Sequence, residues 1–399
     1  MDEKYLNWVF YTYRRNQYLS AFTLKLKPYL LLFKKIANDF FNIIYKKDNI
    51  KIEPKDIWII ANTSNNYNST LFLRDYLNNT KILQIKRRNN HIENLNIGFY
   101  WSTIFDLVRF MFFNKDKWYR FNPELLYDSV NFHNKVKKLF LKVKPKAIIF
   151  SNDHYHLNRI LLKEAKKNGI PTIYIAHASV SDIFPPLEFD HSFLFGRAMQ
   201  EKYFNIGNIN GKTHLLGNPR SDELISIRIL SRDPNIIGIG LNLLDDFEMV
   251  KLTIEKLLKE NKSLIINIRF HPRSQIKRIL IDNRVNYISA NDQSLSSYLA
   301  GISTLISGNS SLILDAAIAG VKPVHFYHEK EPIIDYYGFI EKGVAKLCVS
   351  HNDLVNELKN TSSLEYLKNS KHFEESIDSA YQGNVKKKIG EKIYKIIYE

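Results

Sequence analysis

The chain has 399 residues, of which 45% are hydrophobic and 13% aromatic, and its formal net charge is +16. A chain of this length is expected to form two domains, and its apolar content excludes global disorder. The single cysteine, Cys348, excludes a disulfide framework and argues against a structural zinc site.

The positive charge indicates an anionic partner, which is a nucleic acid, an anionic membrane face or a phosphorylated substrate. The sequence lacks the aromatic RNP-type motifs and zinc-ligand patterns of nucleic-acid binders, so no nucleic-acid partner is expected. It also shows no signal peptide, and its apolar stretches are far shorter than the roughly 20 residues of a membrane helix. We therefore expect a cytoplasmic protein, with peripheral attachment to the inner face of the cytoplasmic membrane left open.

Residues 1–50 are rich in aromatic and basic side chains at helical spacing, as in Trp8 to Arg15. This pattern predicts a basic aromatic helical segment attached to the first domain. The alternative is an amphipathic segment that touches an anionic inner leaflet. The basic C-terminal helix predicted for 386–399, which begins Lys386-Lys-Lys388, offers a second contact of the same kind.

Apolar runs of strand length, each followed by a polar loop and a helical pattern, recur through the rest of the chain. They predict the βα units of one parallel sheet within 51–230 and of another within 231–385. The fold class is thus α/β, with two doubly wound, Rossmann-like domains. In such sheets ligands bind at the carboxyl ends of the strands, so the loops that follow strands are the candidate sites.

The first candidate loop is Arg269-Phe-His-Pro-Arg273, which directly follows a buried strand. Arg269, His271 and Arg273 can hold a phosphate through charge-assisted hydrogen bonds, and Pro272 stiffens the turn. The alternative is a solvated basic loop. A phosphate site is the prediction.

The second candidate loop is Ser307-Gly-Asn-Ser-Ser311, which follows a strand and opens a helix. The hydroxyls of Ser310 and Ser311 and the backbone N–H groups favour an anion, and Gly308 allows close approach, although an ordinary helix cap fits as well. Asn309 belongs to the same loop. Asp315, further along this helix, is predicted to accept hydrogen bonds from ribose hydroxyls. A carboxylate that only favours the helix dipole is its alternative.

Two loops of the first domain carry candidate proton acceptors, because histidines and carboxylates can be tuned toward neutral pH. The candidates are Asp153, His154, His177 and Asp182. The spacing of His154 and His156 is poor for one helical face, so no metal site is predicted.

These motifs together resemble a known family. A strand leading to Arg-x-His-Pro at 269–272, followed by Ser-Gly-Asn-Ser-Ser at 307–311 and Ala-Gly-x-x-Pro-Val at 319–324, resembles GT-B glycosyltransferases of bacterial surface polysaccharides. In particular it resembles the sialyltransferases and Kdo transferases with an HP motif and an S motif. Segments 169–177, 195–196 and 216–222 are similar to segments of capsule transferases and sugar epimerases of this fold.

The resemblance implies a GT-B fold whose two domains face a central cleft, with 51–230 binding the acceptor and 231–385 the donor. It implies a metal-independent transferase that needs no cofactor and uses a CMP-linked 2-keto acid sugar as donor. The acceptor would be a glycan or lipid-linked glycan of capsule or lipopolysaccharide. His271 would contact the donor phosphate, Pro272 would shape its loop, and Ser310 and Ser311 would bind the same phosphate.

The sequence departs from the sialyltransferases at the catalytic base, where an acidic motif is replaced by Ala176-His-Ala-Ser179. His177, Asp153 or Asp182 would then take the base role. The alternatives are a UDP- or GDP-sugar transferase of the same fold, a CDP-polyol phosphotransferase of the teichoic-acid type, a sugar-nucleotide 2-epimerase and, last, a basic nucleic-acid binder.

Overall fold

The computed structural model describes most of the chain. The described residues are 3–15, 26–45, 53, 56–85, 92–95, 101–113, 118, 122–360, 364–377 and 384–399. The chain divides into two compact units. The first unit comprises 1–194, 198–216 and 386–399, and the second comprises 195–197 and 217–385.

The first unit is built on a parallel sheet of seven strands in the order β3-β2-β1-β4-β5-β6-β7. Its inner strands are continuous apolar runs because helices cover both faces of such a sheet. The strands are β1 (Ile57–Ile60), β2 (Thr80–Gln84), β3 (Glu93–Asn94), β4 (Ala147–Phe150), β5 (Thr172–Ile175), β6 (His191–Leu194) and β7 (Lys212–Leu215). The helices are α1 (Glu3–Val9), α2 (Tyr11–Arg15), α3 (Leu26–Tyr45), α4 (Ser64–Thr70), α5 (Trp101–Phe113), α6 (Pro123–Lys142), α7 (His156–Lys167) and α8 (Arg197–Ile206).

The second unit repeats this plan with six parallel strands in the order β10-β9-β8-β11-β12-β13. The strands are β8 (Ile236–Gly240), β9 (Ile265–Phe270), β10 (Val285–Ser289), β11 (Thr304–Ser307), β12 (Lys322–His325) and β13 (Lys346–Leu347). The helices are α9 (Ser221–Ser226), α10 (Phe247–Glu260), α11 (Leu295–Ala300), α12 (Leu312–Ile318), α13 (His351–Leu358) and α14 (Leu364–Asn369), and α15 (Val385–Tyr398) ends the chain.

Each sheet has a point where the strand order reverses, and this point positions the candidate sites. In the first unit β1 pairs with β4, and in the second β8 pairs with β11, with Gly240 opposite Ser307. The loops that follow such central strands diverge and leave a crevice at the carboxyl edge of the sheet. The predicted α/β class with two doubly wound, Rossmann-like sheets is confirmed.

The division of the chain differs from the predicted boundaries at three places, of which the shortest is 195–197 in the second unit. Residues 217–230 lie in the second unit, because Arg220 pairs with Asp315 at 3.0 Å and Arg228 Nε donates to the Ile318 carbonyl at 2.9 Å. Helix α15 returns to the first unit, where the Lys146 ammonium lies 3.7 Å from the Tyr398 ring centroid. Local sequence patterns carry no signal for contacts between such distant segments.

The N-terminal segment packs on the first unit where the structure describes it. Arg159 of α7 donates from Nε to the Trp8 carbonyl at 2.8 Å and stacks 3.9 Å from the Trp8 ring centroid. Residues 1–2, 16–25 and 46–50 of the predicted basic segment lie outside the described residues. Among the helices described, none combines the length and the apolar character needed to cross a bilayer.

Candidate functional site

A cavity of about 530 Å³ opens at the carboxyl edge of the second sheet. Its volume falls in the range of small-molecule sites, and four loops that follow strands contribute to it. The lining residues are Asn242, Leu243 and Leu244 after β8, His271 after β9, Asn309, Ser310 and Ser311 after β11, and Glu329, Glu331, Ile333, Tyr336 and Tyr337 after β12. Two of the loops predicted from the sequence therefore meet at one cavity.

His271 presents a neutral hydrogen-bond donor to this cavity. Its Nδ1 accepts the backbone N–H of Arg273 at 3.1 Å, so a neutral ring carries its proton on Nε2. Partial burial, followed by the nearby charge of Arg273, lowers the pKa of His271 below its ordinary value. The ring is therefore uncharged at neutral pH and offers one N–H to a ligand oxygen.

The other residues of the predicted phosphate loop do not line the cavity. Strand β9 continues to Phe270, beyond the predicted strand end at Ile268, so Arg269 is a buried strand residue rather than a loop residue. Its guanidinium lies 5.2 Å from the Tyr298 ring centroid, and burial lowers its pKa. Pro272 and Arg273 are exposed. Of this motif, the imidazole alone is among the lining residues.

Ser307 and Gly308 have roles in the protein's own packing. Ser307 ends β11, and its buried hydroxyl donates to the Gly240 carbonyl at 2.7 Å, which ties the two central strands together. A Cβ at Gly308 would lie 3.7 Å from Glu329 Oε1, an ordinary contact. The packing of the protein around residue 308 would therefore accept a side chain. The close approach of a ligand to Gly308 stays a prediction.

Asn309 holds a wall of the cavity, and the two serines after it face the interior. Its side chain donates from Nδ2 to the Ile333 carbonyl at 2.7 Å and accepts the Tyr336 N–H at 3.3 Å. Ser310 Oγ also accepts a backbone N–H at the start of α12 at 3.3 Å. Ser310 and Ser311 line the cavity, where each has a hydroxyl proton to donate.

Asp315 has a protein partner. Both of its carboxylate oxygens lie 3.0 Å from Nη2 of Arg220, and the Asp315 charge raises the pKa of Arg220. The carboxylate is nearly buried and is not among the lining residues. The pair joins the residue before α9 to α12, and the ribose contact predicted for Asp315 stays a prediction.

Asn242 and Glu329 also belong to the site, although neither was among the residues predicted from the sequence. Asn242 Nδ2 donates to Glu329 Oε1 at 2.9 Å, and Glu329 is buried. The Asn242 N–H donates to Asp245 Oδ2 at 2.6 Å. Burial raises the pKa of Asp245 to about 7, with Glu329 adding to the rise and the Asn242 hydrogen bond opposing it. Both loops follow apolar strands, and that position is the signal that identifies them.

The charge of the cavity differs from the predicted basic cradle. Glu329 and Glu331 line it, while neither lysine nor arginine appears among the lining residues that the structure describes. Arg269 is withdrawn into the sheet, and Arg273 is exposed outside the lining. The cavity therefore offers neutral donors from His271 and the serines beside acidic acceptors.

The first unit holds a separate polar cluster at the carboxyl edge of its sheet, around the buried Asp153. Asp153 Oδ1 lies 3.0 Å from His154 Nδ1, and Oδ2 accepts the Tyr203 hydroxyl at 2.6 Å. Burial opposes ionisation, but the hydrogen bond and charge of His154 and the Tyr203 hydrogen bond outweigh it, so the pKa of Asp153 is below its ordinary value. Asp153 is an ionised carboxylate that orients His154.

His177 belongs to the same cluster, and Asp182 does not. Burial lowers the pKa of His177, and the charge of Asp153 opposes this shift. Nδ1 of His177 is buried and makes no hydrogen bond to the described residues. The exposed Asp182 pairs with Lys202 at 3.4 Å. Of the predicted base candidates, His177 and Asp153 thus share one environment, together with His154.

Metal ligands show no clustering in the part of the chain that the structure covers. No group of three or more His, Cys, Asp or Glu side chains there has the geometry to hold an ion.

Comparison with known proteins identifies the fold. No protein-family model and no curated protein matches the chain. Among solved structures, the wall teichoic acid polymerase TagF is similar at 16% identity and a TM-score of 0.52, covering 94% of this chain and 99% of that chain. The UDP-GlcNAc 2-epimerase of Neisseria meningitidis bound to UDP-GlcNAc has 13% identity, a TM-score of 0.50 and coverages of 85% and 100%. S. aureus MnaA with UDP has 11% identity, a TM-score of 0.51 and coverages of 86% and 97%. The two sheets of this chain are those of the GT-B fold.

Proposed function

We propose that the protein is a nucleotide-dependent transferase of the teichoic-acid type, which transfers a polyol phosphate from a CDP-linked donor to an acceptor hydroxyl. The observation that carries the proposal is the cavity in which His271, Ser310 and Ser311 converge at the carboxyl edge of the second sheet. The likeness to TagF over nearly the whole of both chains supports it, and one TagF structure comes from a crystal soaked with CDP-glycerol.

The donor groups of the cavity suit the charge that this reaction develops. The acceptor oxygen forms a bond to the phosphorus of the polyol phosphate, the bond from that phosphorus to the bridging oxygen breaks, and CMP leaves with the electron pair. Negative charge on the phosphate oxygens is then stabilised by the Nε2–H of His271 and the hydroxyls of Ser310 and Ser311. Preorganised donors of this kind usually contribute more to catalysis than any other single effect.

The proton of the acceptor hydroxyl needs a base, and we assign that role to the first-unit cluster. His177 and His154 are the proton acceptors it offers, and Asp153 positions them through its ionised carboxylate. Asp182 is left out of this proposal because its exposed side chain pairs with Lys202.

The acidic side chains of the cavity suit the hydroxyl groups of a polyol or a ribose. Glu329 and Glu331 accept hydrogen bonds from such hydroxyl groups, and Glu329 is held for this by Asn242. A CDP-linked polyol and a CMP-linked keto acid each carry two negative charges, so charge does not separate the two donors. We prefer the CDP-linked polyol because of the likeness to TagF.

A sugar-nucleotide 2-epimerase is the second candidate, because the Neisseria meningitidis UDP-GlcNAc 2-epimerase shares the fold over its whole length. An epimerase would bind UDP rather than CDP, and it would invert C2 of the sugar in a UDP-linked substrate without needing an acceptor.

Incubating the purified protein with CDP-glycerol, CDP-ribitol, UDP-GlcNAc and CMP-sialic acid, each with polyol phosphate and glycan acceptors, tests these assignments. We expect CMP release from a CDP-polyol together with a new phosphodiester on the acceptor. A glycoside formed from CMP-sialic acid would overturn the proposal, and so would conversion of UDP-GlcNAc to its 2-epimer with CDP-polyols left intact.

A further inference from the structure

Helix α5 turns a stripe of large apolar side chains toward solvent. Trp101, Phe105 and Phe112 are 67%, 76% and 71% exposed, and Val108 between them is also exposed. Their spacing of four, three and four residues places them on one face of the helix. A folded domain gains nothing from leaving such a stripe in water, so this face points to a partner.

The opposite face of α5 fixes the helix in this orientation. Leu107 and Phe110 are buried, and the buried Thr103 hydroxyl donates to Asn131 Oδ1 of α6 at 3.0 Å. The stripe is therefore exposed because the other side of the helix packs against the core of the first unit.

Helix α3 extends this apolar surface. Leu30, Phe33 and Phe41 are exposed along it, and the rings of Phe40 and Trp101 lie 6.1 Å apart between centroids. We call the combined surface the aromatic face. Its members are Leu30, Phe33, Phe41, Trp101, Phe105, Val108 and Phe112.

Helix α3 is also fixed on α6. Lys35 pairs with Asp128 of α6 at 2.5 Å, and the hydroxyl of Tyr127 donates to Asp39 at 3.1 Å. Both helices of the aromatic face are thus anchored to the same supporting helix.

The two helices of the aromatic face carry a net positive charge, which identifies the partner. Their basic residues are Lys27, Lys34, Lys35 and Arg109, and their acidic residues are Asp39 and Asp106. The exposed Lys34 and Arg109 lie on the same helices as the aromatic side chains. Aromatic side chains flanked by cations are typical of helices that lie in the interface of an anionic bilayer.

We propose that the aromatic face docks the protein on an anionic lipid bilayer, with α3 and α5 in the interface and their aromatic side chains among the acyl chains. Lys34 and Arg109 contact the headgroups. The proposal is independent of the transfer reaction, because it rests on helices that contribute nothing to the second-unit cavity.

Co-sedimentation of the full chain with vesicles tests it. We expect binding to vesicles of phosphatidylcholine with phosphatidylglycerol and much weaker binding to phosphatidylcholine alone. The double variant Phe105→Ser, Phe112→Ser should lower the partition coefficient about tenfold or more, because each phenylalanine loses its transfer from water. The matched control is Ile229→Ser, Ile281→Ser, which removes two exposed apolar side chains of the second unit that do not belong to the aromatic face. It should bind as the wild type does.

Tryptophan fluorescence gives a second readout that does not depend on sedimentation. Brominated anionic vesicles should quench the wild type, and the quenching should fall in Trp101→Phe because the other tryptophans are buried or partly buried. The proposal would be overturned if the wild type did not bind anionic vesicles. It would also be overturned if the phenylalanine double variant bound them as well as the isoleucine double variant does. Loss of a dimer in the phenylalanine variant without any lipid binding by wild type would assign the face to a second copy instead.

Discussion

Asp153 shows how a single buried carboxylate governs its neighbours. With His154 on one oxygen and the Tyr203 hydroxyl on the other, it stays ionised although it is buried. Its charge acts on His177 and keeps the pKa of that ring from falling further. The sequence marks Asp153, His154 and His177 as candidates because they follow strands, but only the three-dimensional arrangement shows that Asp153 lies between His154 and Tyr203.

Asp153→Asn should therefore change the pH dependence of transfer as well as its rate. With His177 as the proposed neutral base, the rate falls as pH drops through the pKa of His177. Removing the Asp153 carboxylate lowers that pKa, and the acidic limb of the kcat/KM profile should move to lower pH. Turnover should fall about 100-fold, the usual contribution of a positioned base.

Asp182→Asn is the matched control, because Asp182 is an exposed acid that pairs with Lys202. It should leave both the rate and the profile as they are in the wild type. An unshifted acidic limb in Asp153→Asn, or a shift of equal size in Asp182→Asn, would remove Asp153 from this role.

Arg269 shows what a local sequence pattern does not determine. A basic side chain two residues before His-Pro predicts a phosphate ligand. Two further residues of β9 turn Arg269 into a buried strand residue beside Tyr298. The end of a strand depends on which groups its neighbours present for pairing, and one sequence does not contain that information.

At the scale of elements, the apolar runs predict the inner strands of both sheets because their side chains are buried on both faces. The order of the strands and the destination of α15 depend on contacts between distant segments. In the first unit, Gly390 of α15 lies so close to the Tyr76 ring that a Cβ there would overlap it.

Gly390→Ala tests this packing, because two effects oppose each other. Alanine favours a helix over glycine by about 1 kcal/mol, whereas overpacking a fitted contact costs about 1–3 kcal/mol. We expect net destabilisation, seen as a lower Tm and as faster tryptic cleavage at Lys386–Lys388. Tyr394→Phe, on the exposed side of the same helix, should leave the cleavage rate unchanged. Slower cleavage in Gly390→Ala would mean that the gain in helix propensity exceeds the cost of overpacking, and that the contact between Gly390 and the Tyr76 ring is loose.

At the scale of the whole molecule, the buried carboxyl of Glu374 should make a contribution to stability that falls as pH rises toward neutrality. Glu374 is buried in the second unit, where Oε1 accepts the Asn218 N–H at 2.8 Å and the Ser376 hydroxyl at 2.6 Å. Burial raises its pKa to about 7, against the opposing effect of these hydrogen bonds. Because the folded pKa exceeds the unfolded value, Glu374 stabilises the protein fully below about pH 4, and this stabilisation is lost as pH rises through 7.

Glu374→Gln removes the titration but keeps an acceptor oxygen in place. The unfolding free energy of the variant relative to wild type should therefore increase between pH 5 and pH 8, by an amount on the order of 3 kcal/mol. Denaturant unfolding at the two pH values measures it. A difference between variant and wild type that is independent of pH would show that Glu374 is ionised in the folded protein throughout.

In the proposed reaction, the second-unit cavity binds the nucleotide of a CDP-linked donor through His271. Calorimetric titration of CDP into wild type, His271→Ala and Arg273→Ala measures this binding. We predict binding to wild type, about a tenfold or greater loss of affinity in His271→Ala for the missing hydrogen bond to a charged phosphate, and a smaller loss in Arg273→Ala. Wild type that binds UDP but not CDP, or His271→Ala that binds CDP as tightly as wild type, would contradict the claim.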